Sequence, residues 1–248
     1  MRSNGRLWLG ESVDLVFDIR RVSLYLIVPP VLAFIVYFEA YLSGVGATRI
    51  MSLGQRVMLA LWNSTILLSL IAGLQGGAFF SRVFGSAWFR NRLALPSRRL
   101  HAFCWFLTSY GALVTVFYLL TAFAILVAMP KPSDFGTLPA LVNCYTPILW
   151  SVAASALFGL LARPGAASFL FLATVTMGSV TGLPQVAGKL PDWIASVLRV
   201  VFPRLGDSFL GSMGVESYRY VSLAVPLHAL ALLMAGAWVF LRLARGRR

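Results

Sequence analysis

Residues able to perform acid–base, nucleophilic or metal chemistry are few in this chain of 248 residues. There are two histidines, two cysteines and eight acidic residues, and the histidines and cysteines lack the spacing of a metal site. The motifs of nucleotide hydrolases, zinc proteases and serine hydrolases (GxxxxGK(S/T), HExxH and GxSxG) do not occur. The sequence therefore predicts that the chain is not an enzyme and carries no metal or cofactor of its own.

The isolated reactive side chains fall in or beside long apolar runs. His228 lies alone in the last run, which favours burial beside a hydrogen-bonding partner over a role in proton relay. Cys104 and Cys144 are far apart in sequence and are expected to be small buried residues. Glu39 lies near the end of the first run, where a position at the membrane interface is favoured over a transport role.

The composition predicts an integral membrane protein. Hydrophobic residues make up 59% of the chain, charged residues make up only 12%, and the mean hydropathy is +0.81. This length accommodates about six spans of ~20 residues in a single transmembrane domain, residues 1–248. The net charge of +13 arises mostly from loops beside these runs, so membrane orientation and lipid headgroups explain it better than nucleic acid does.

The predicted fold is all-α, with six transmembrane helices and two further helices. The spans are expected at residues 22–42, 57–80, 100–128, 141–161, 166–182 and 221–241. An amphipathic helix at 7–21, in a cytoplasmic segment 1–21, is expected along the membrane surface as an anchor or as a docking surface for a partner. The segment 183–220 is too polar to span, and Pro191 and Pro203 bound a half-inserted helix within it.

Small residues recur at spacings of four on three predicted spans. The second span carries Thr65, Ser69, Gly73 and Gly77, the fourth carries Ser151, Ser155 and Gly159, and the fifth carries Thr174, Gly178 and Gly182. Small side chains at this spacing let helices approach closely. The three series predict close packing in a bundle or a tight dimer, and the faces on the second and fifth spans are also the candidates for lining a translocation path.

The loop at residues 82–99 determines the predicted topology. It carries five arginines and no acidic residue, so it is expected on the cytoplasmic side. With six spans both termini are then cytoplasmic, and the cytoplasmic segments hold 14 of the 21 basic residues. Within the loop, residues 84–92 are predicted to form a short interfacial helix whose aromatic side chains, Phe84, Trp88 and Phe89, face lipid or a partner.

The order of these parts resembles the membrane subunit of ABC-2 type transporters. Residues 95–99 (LPSRR) look like the family's run leading into the third span, and residues 190–194 (LPDWI) look like the opening of its outer helix. Residues 202–203 (FP) fit the proline that ends that helix. One departure is that residues 90–92 (RNR) stand where many members carry a glutamate and a Gly-Thr pair.

The resemblance implies the permease of an exporter in the bacterial cytoplasmic (inner) membrane. Two such subunits, identical or related, would pair with two separate ATPase subunits, which would hold the ATP and Mg²⁺. The segment 82–99 would carry the motion of the ATPases into the spans, with contacts from Phe84, Trp88, Phe89, Arg90 and Arg92. The scarcity of charges in the spans favours an amphipathic or lipid-linked cargo. The alternatives are a non-transporting membrane scaffold or assembly factor and, third, a membrane-embedded enzyme.

Overall fold

The computed structural model describes residues 53–85, 99–129, 136–180 and 224–245, together with 189–191, 193–194, 197–198, 202 and 205. The predicted N-terminal helix at 7–21 and the predicted first span at 22–42 lie outside the described residues. Residues 86–98 of the 82–99 loop and most of the 183–220 segment also lie outside them.

The described part of the chain contains five continuous helices and no β-strand, with a few further helical residues at 193–194, 197–198 and 205. The five helices are α1 (Leu53–Gly85), α2 (Arg99–Ala128), α3 (Thr137–Leu161), α4 (Pro164–Val180) and α5 (Ala224–Arg245). Four of them, α1, α2, α3 and α5, are long and apolar enough to cross a membrane, and α4 is a shorter apolar helix. The all-helical prediction is confirmed for these ranges, which correspond to the predicted second to sixth spans.

Helices α1 and α5 extend beyond their predicted ends, at residues 80 and 241. The second span was predicted to end at residue 80, but α1 continues to Gly85 because Ser81, Val83 and Phe84 remain buried and their contacts stabilise one more turn.

Helix α3 contains Pro147, which cannot donate a hydrogen bond to the carbonyl of Asn143. The hydroxyl of Thr146 donates to that carbonyl instead, at 2.9 Å, so the backbone acceptor stays satisfied in an apolar setting.

Pairs of contacts along neighbouring helices give their relative directions. Helices α1 and α3 are parallel, since Gly76 lies against Ser155 and, further along both helices, Ser81 bonds Ala162. Helices α2 and α4 run antiparallel to α1. The contacts that establish this are Phe84 with Phe103, Ala72 with Tyr110, Gly77 with Ala167, and Gly73 with Phe171. Helix α5 ends beside the end of α1, where Phe84 contacts Phe240.

Successive helices therefore alternate in direction, as repeated membrane crossings require. The final turns of α1, α3 and α5 lie at the same end of the bundle as the first turns of α2 and α4. We call this the basic end, because its residues include Arg82, Arg99, Arg163, Arg242 and Arg245. The described residues contain no aspartate or glutamate, so the positive charge at this end is not offset by any acidic side chain among them.

Helix α3 occupies the centre of the bundle and packs against all four other helices. The outer surface is apolar, as a lipid-facing surface must be. One stripe of α2 shows this, with Val116, Leu120, Phe123 and Val127 all more than half exposed. Cys104 is exposed on α2, so its predicted burial is wrong, whereas the predicted burial of Cys144 is confirmed.

Candidate functional site in the small-residue faces and at the basic end

The small-residue series of α1 is buried within the chain. Thr65 and Ser69 have no exposed surface, and the two glycines that follow contact α4. A Cβ atom on Gly73 would overlap the ring of Phe171, and one on Gly77 would lie 3.2 Å from the backbone carbon of Ala167. Here the series serves close packing of α1 on α4, which is the first of the roles predicted for it.

The small residues of the α4 series do not all face α1. Gly178 is buried, but Thr174 is half-buried and its hydroxyl donates to the carbonyl of Leu170 on its own helix, at 2.8 Å. Gly182 lies outside the described residues. The residues of α4 that meet α1 are instead Ala167 and Phe171, so the spacing identified a small face without identifying its partner.

A second close approach joins α1 to α3. A Cβ atom on Gly159 would lie 2.5 Å from the Cβ of Phe80 and 2.9 Å from the backbone nitrogen of Ser81. A Cβ atom on Gly76 would lie 2.5 Å from the Ser155 hydroxyl. Gly76 was not predicted to lie at a close contact because it falls outside the series of four, although the consecutive glycines at 76 and 77 indicate that two faces of α1 are crowded.

Two hydroxyls in this packed region have no hydrogen-bond partner among the described residues. They belong to Ser69 and Ser151, both fully buried. Ser151 lies one turn before Ser155 on α3, so the register of the parallel pair brings it level with Ala72 of α1, about one helical turn from Ser69. Such groups are able to bind water or the polar part of a ligand, and leaving one unpaired costs about 1–3 kcal/mol. We call this pair the serine seam.

Other buried polar groups form hydrogen bonds that tie α1 to its neighbours. The Tyr110 hydroxyl donates to the carbonyl of Ala72 at 2.6 Å, and the Ser168 hydroxyl donates to that of Leu74 at 2.7 Å. The Ser81 hydroxyl donates to the carbonyl of Ala162 at 2.6 Å, in the turn between α3 and α4. These contacts were not predicted, because a hydroxyl in an apolar run gives no indication of which helix it will face.

His228 has the hydrogen-bonding partner that was predicted, but the histidine is half-buried rather than fully buried. The indole N–H of Trp150 donates to its Nδ1 atom at 2.8 Å, and Trp150 is almost fully buried. Because an indole nitrogen only donates, Nδ1 must accept, and the neutral ring then carries its proton on Nε2. Leu205, from the segment between α4 and α5, is buried in the same cluster as Trp150 and Phe171. Leu205 therefore packs in a cluster that includes residues of α3, α4 and α5.

Phe84 lies inside the bundle at the basic end. Its ring centre is 5.7 Å from that of Phe80, 5.9 Å from that of Phe103 and 5.7 Å from that of Phe240. The prediction that Phe84 faces lipid or a partner is therefore wrong, because α1 remains helical and carries this side chain onto the same buried face as Phe80, one turn earlier. The other predicted coupling residues, Trp88, Phe89, Arg90 and Arg92, lie outside the described residues.

No family model, no curated protein and no solved structure matches this chain. Within the ranges that the structure describes, no group of three or more histidine, cysteine, aspartate or glutamate side chains is placed to hold a metal ion.

Proposed function

We propose that this chain is the membrane-spanning permease subunit of an ABC-2 type exporter. It would work in the bacterial cytoplasmic membrane as a dimer with itself or with a related permease. Energy would come from ATP hydrolysed on a separate subunit, and an amphipathic or lipid-linked molecule would be the cargo. The basic end would face the cytoplasm, because short loops rich in arginine are retained on that side.

One observation carries the coupling part of this proposal. The segment 86–98 joins α1 to α2 at the basic end, and the Phe84 ring lies immediately before it, in contact with the rings of Phe103 and Phe240. These three residues belong to α1, α2 and α5. Packed interiors are dense and transmit displacement, so a push on this segment would act on three helices at once.

The translocation path is proposed along the small-residue faces. Thr65, Ser69, Gly73 and Gly77 would become accessible to cargo only if α4 moved away from α1, because Gly73 now contacts Phe171. The unused hydroxyls of the serine seam would then offer hydrogen bonds to the polar part of the cargo. The α4 residues Thr174, Gly178 and Gly182 are proposed to line the path or the dimer contact.

Substitutions in the coupling segment test the proposal. In a reconstituted complex, Trp88→Ala and Arg90→Ala should abolish cargo-stimulated ATP hydrolysis without reducing membrane insertion or the yield of folded protein. Lys189→Ala is the matched control, because Lys189 is exposed and lies between the ends of α4 and α5 that are remote from the basic end. Normal stimulation in both coupling variants would contradict the proposal.

A second candidate is a membrane scaffold or assembly factor that transports nothing. It is favoured by the tight contacts of Gly73 with Phe171 and of Gly159 with Phe80, because they occupy the small-residue faces within one chain. A scaffold would keep these contacts at all times. Cysteine pairs designed across the α1–α4 contact would then leave its activity intact when cross-linked, whereas they would block a permease.

A further inference from the structure

We propose that the basic end binds the headgroups of anionic phospholipids through Arg82, Arg163 and Arg242. The proposal requires only that the helices cross a membrane. It does not depend on whether the chain transports a cargo.

The three arginines come from different elements that meet at this end. Ser81 bonds Ala162, and these residues directly precede Arg82 on α1 and Arg163 in the turn between α3 and α4. Arg242 lies two residues beyond Phe240, whose ring contacts Phe84 at the end of α1. The contacts thus place all three arginines at the same end of the bundle, the end at which α1 and α5 would leave a membrane.

The electrostatics of this end favour an anionic ligand. Arg82, Arg163 and Arg242 are all exposed, and the described part of the chain has no aspartate or glutamate to pair with them. A guanidinium group binds phosphate oxygens through two parallel N–H donors, which a lysine ammonium cannot do. The basic end is therefore suited to a phosphate-containing headgroup that carries a net negative charge.

The surroundings of Arg242 identify the ligand as a lipid. Its guanidinium carbon lies 4.7 Å from the ring centre of Trp238, and Trp238 is 58% exposed. One helical face of α5 continues from Arg242 through Trp238 to the exposed side chains of Met234 and Leu230. An acyl chain would lie along this apolar stripe while its phosphate reached Arg242, and tryptophan beside a basic residue is typical of the membrane interface.

The test is native mass spectrometry of the full chain in mild detergent, titrated with dioleoyl-phosphatidylglycerol or with dioleoyl-phosphatidylcholine. The wild type should bind phosphatidylglycerol more tightly. Arg82→Gln, Arg163→Gln and Arg242→Gln should each weaken that preference by about fivefold, as expected for one arginine near a charged headgroup. Lys189→Gln, the control at an exposed site away from the basic end, should leave it unchanged.

Two results would overturn the proposal. The first is equal binding of the two lipids by the wild type. The second is an unchanged preference in the triple Arg82→Gln, Arg163→Gln, Arg242→Gln variant, provided that it elutes as a single species with wild-type helix content. In that second case, loss of a co-purifying protein from the triple variant would assign the arginines to protein docking.

Discussion

The contact between Gly73 and Phe171 gives the sharpest prediction about stability. The substitution Gly73→Ala adds one methyl group, and that group would overlap the Phe171 ring. Phe171 is fully buried and packs against Trp150, with ring centres 5.8 Å apart, so it has little room to withdraw. The added methyl group must therefore separate α1 from α4 or force the ring from its preferred conformation.

The expected magnitude follows from two opposing effects. Overpacking a dense interior costs about 1–3 kcal/mol, whereas replacing glycine by alanine inside a helix gains up to about 1 kcal/mol. We expect Gly73→Ala to lower the free energy of unfolding by about 1–2 kcal/mol. Gly111→Ala is the matched control, because a Cβ atom there would meet only Val152, at 4.0 Å. This variant should therefore show only the gain in stability from replacing glycine by alanine inside a helix.

The assay is reversible denaturant unfolding in detergent micelles, followed by circular dichroism. Gly73→Ala should unfold at lower denaturant than the wild type, and Gly111→Ala at the same or higher denaturant. Trimming the opposing ring should rescue the first variant, so Phe171→Leu should be less destabilising in the Gly73→Ala background than in the wild type. Equal stability of the two alanine variants, or the absence of rescue, would refute the packing of α1 on α4 described here.

Three further substitutions test individual hydrogen bonds by the same assay. Trp150→Phe should cost about 1 kcal/mol or more by removing the donor to His228, and the loss should be smaller in a His228→Ala background; additive losses would contradict the bond. Ser151→Ala should stabilise the fold by about 1 kcal/mol, because it removes an unpaired buried hydroxyl, and a loss of stability would show that this hydroxyl is satisfied. Tyr110→Phe should destabilise by about 1 kcal/mol by freeing a carbonyl of α1, and a neutral result would mean that this bond is not formed.

The helices of the described ranges were predictable from the sequence, because each is a continuous apolar run that must satisfy its own backbone in lipid. Helix ends were less predictable, since they depend on tertiary contacts. Helix α1 continues beyond its predicted end because Phe84 packs against Phe103 of α2 and Phe240 of α5, which are distant from it in sequence.

The partners of each face were not predictable. A series such as Thr65 to Gly77 shows that one side of a helix is small, but it contains no information about which helix will approach it. The same limit explains Cys104, since nothing in an isolated cysteine within an apolar run distinguishes the lipid-facing side from the buried side. His228 was an exception, because a lone histidine in an apolar run needs a hydrogen-bonding partner wherever the helix packs.

The measurement that tests the central claim most directly is to purify the tagged chain from its native membrane in mild detergent and to identify its partners by quantitative mass spectrometry. The proposal predicts a stoichiometric subunit that carries nucleotide-binding motifs, and its yield should fall when Trp88 and Arg90 are both replaced by alanine. An intact, monodisperse chain without such a subunit would contradict the exporter proposal and would favour the scaffold.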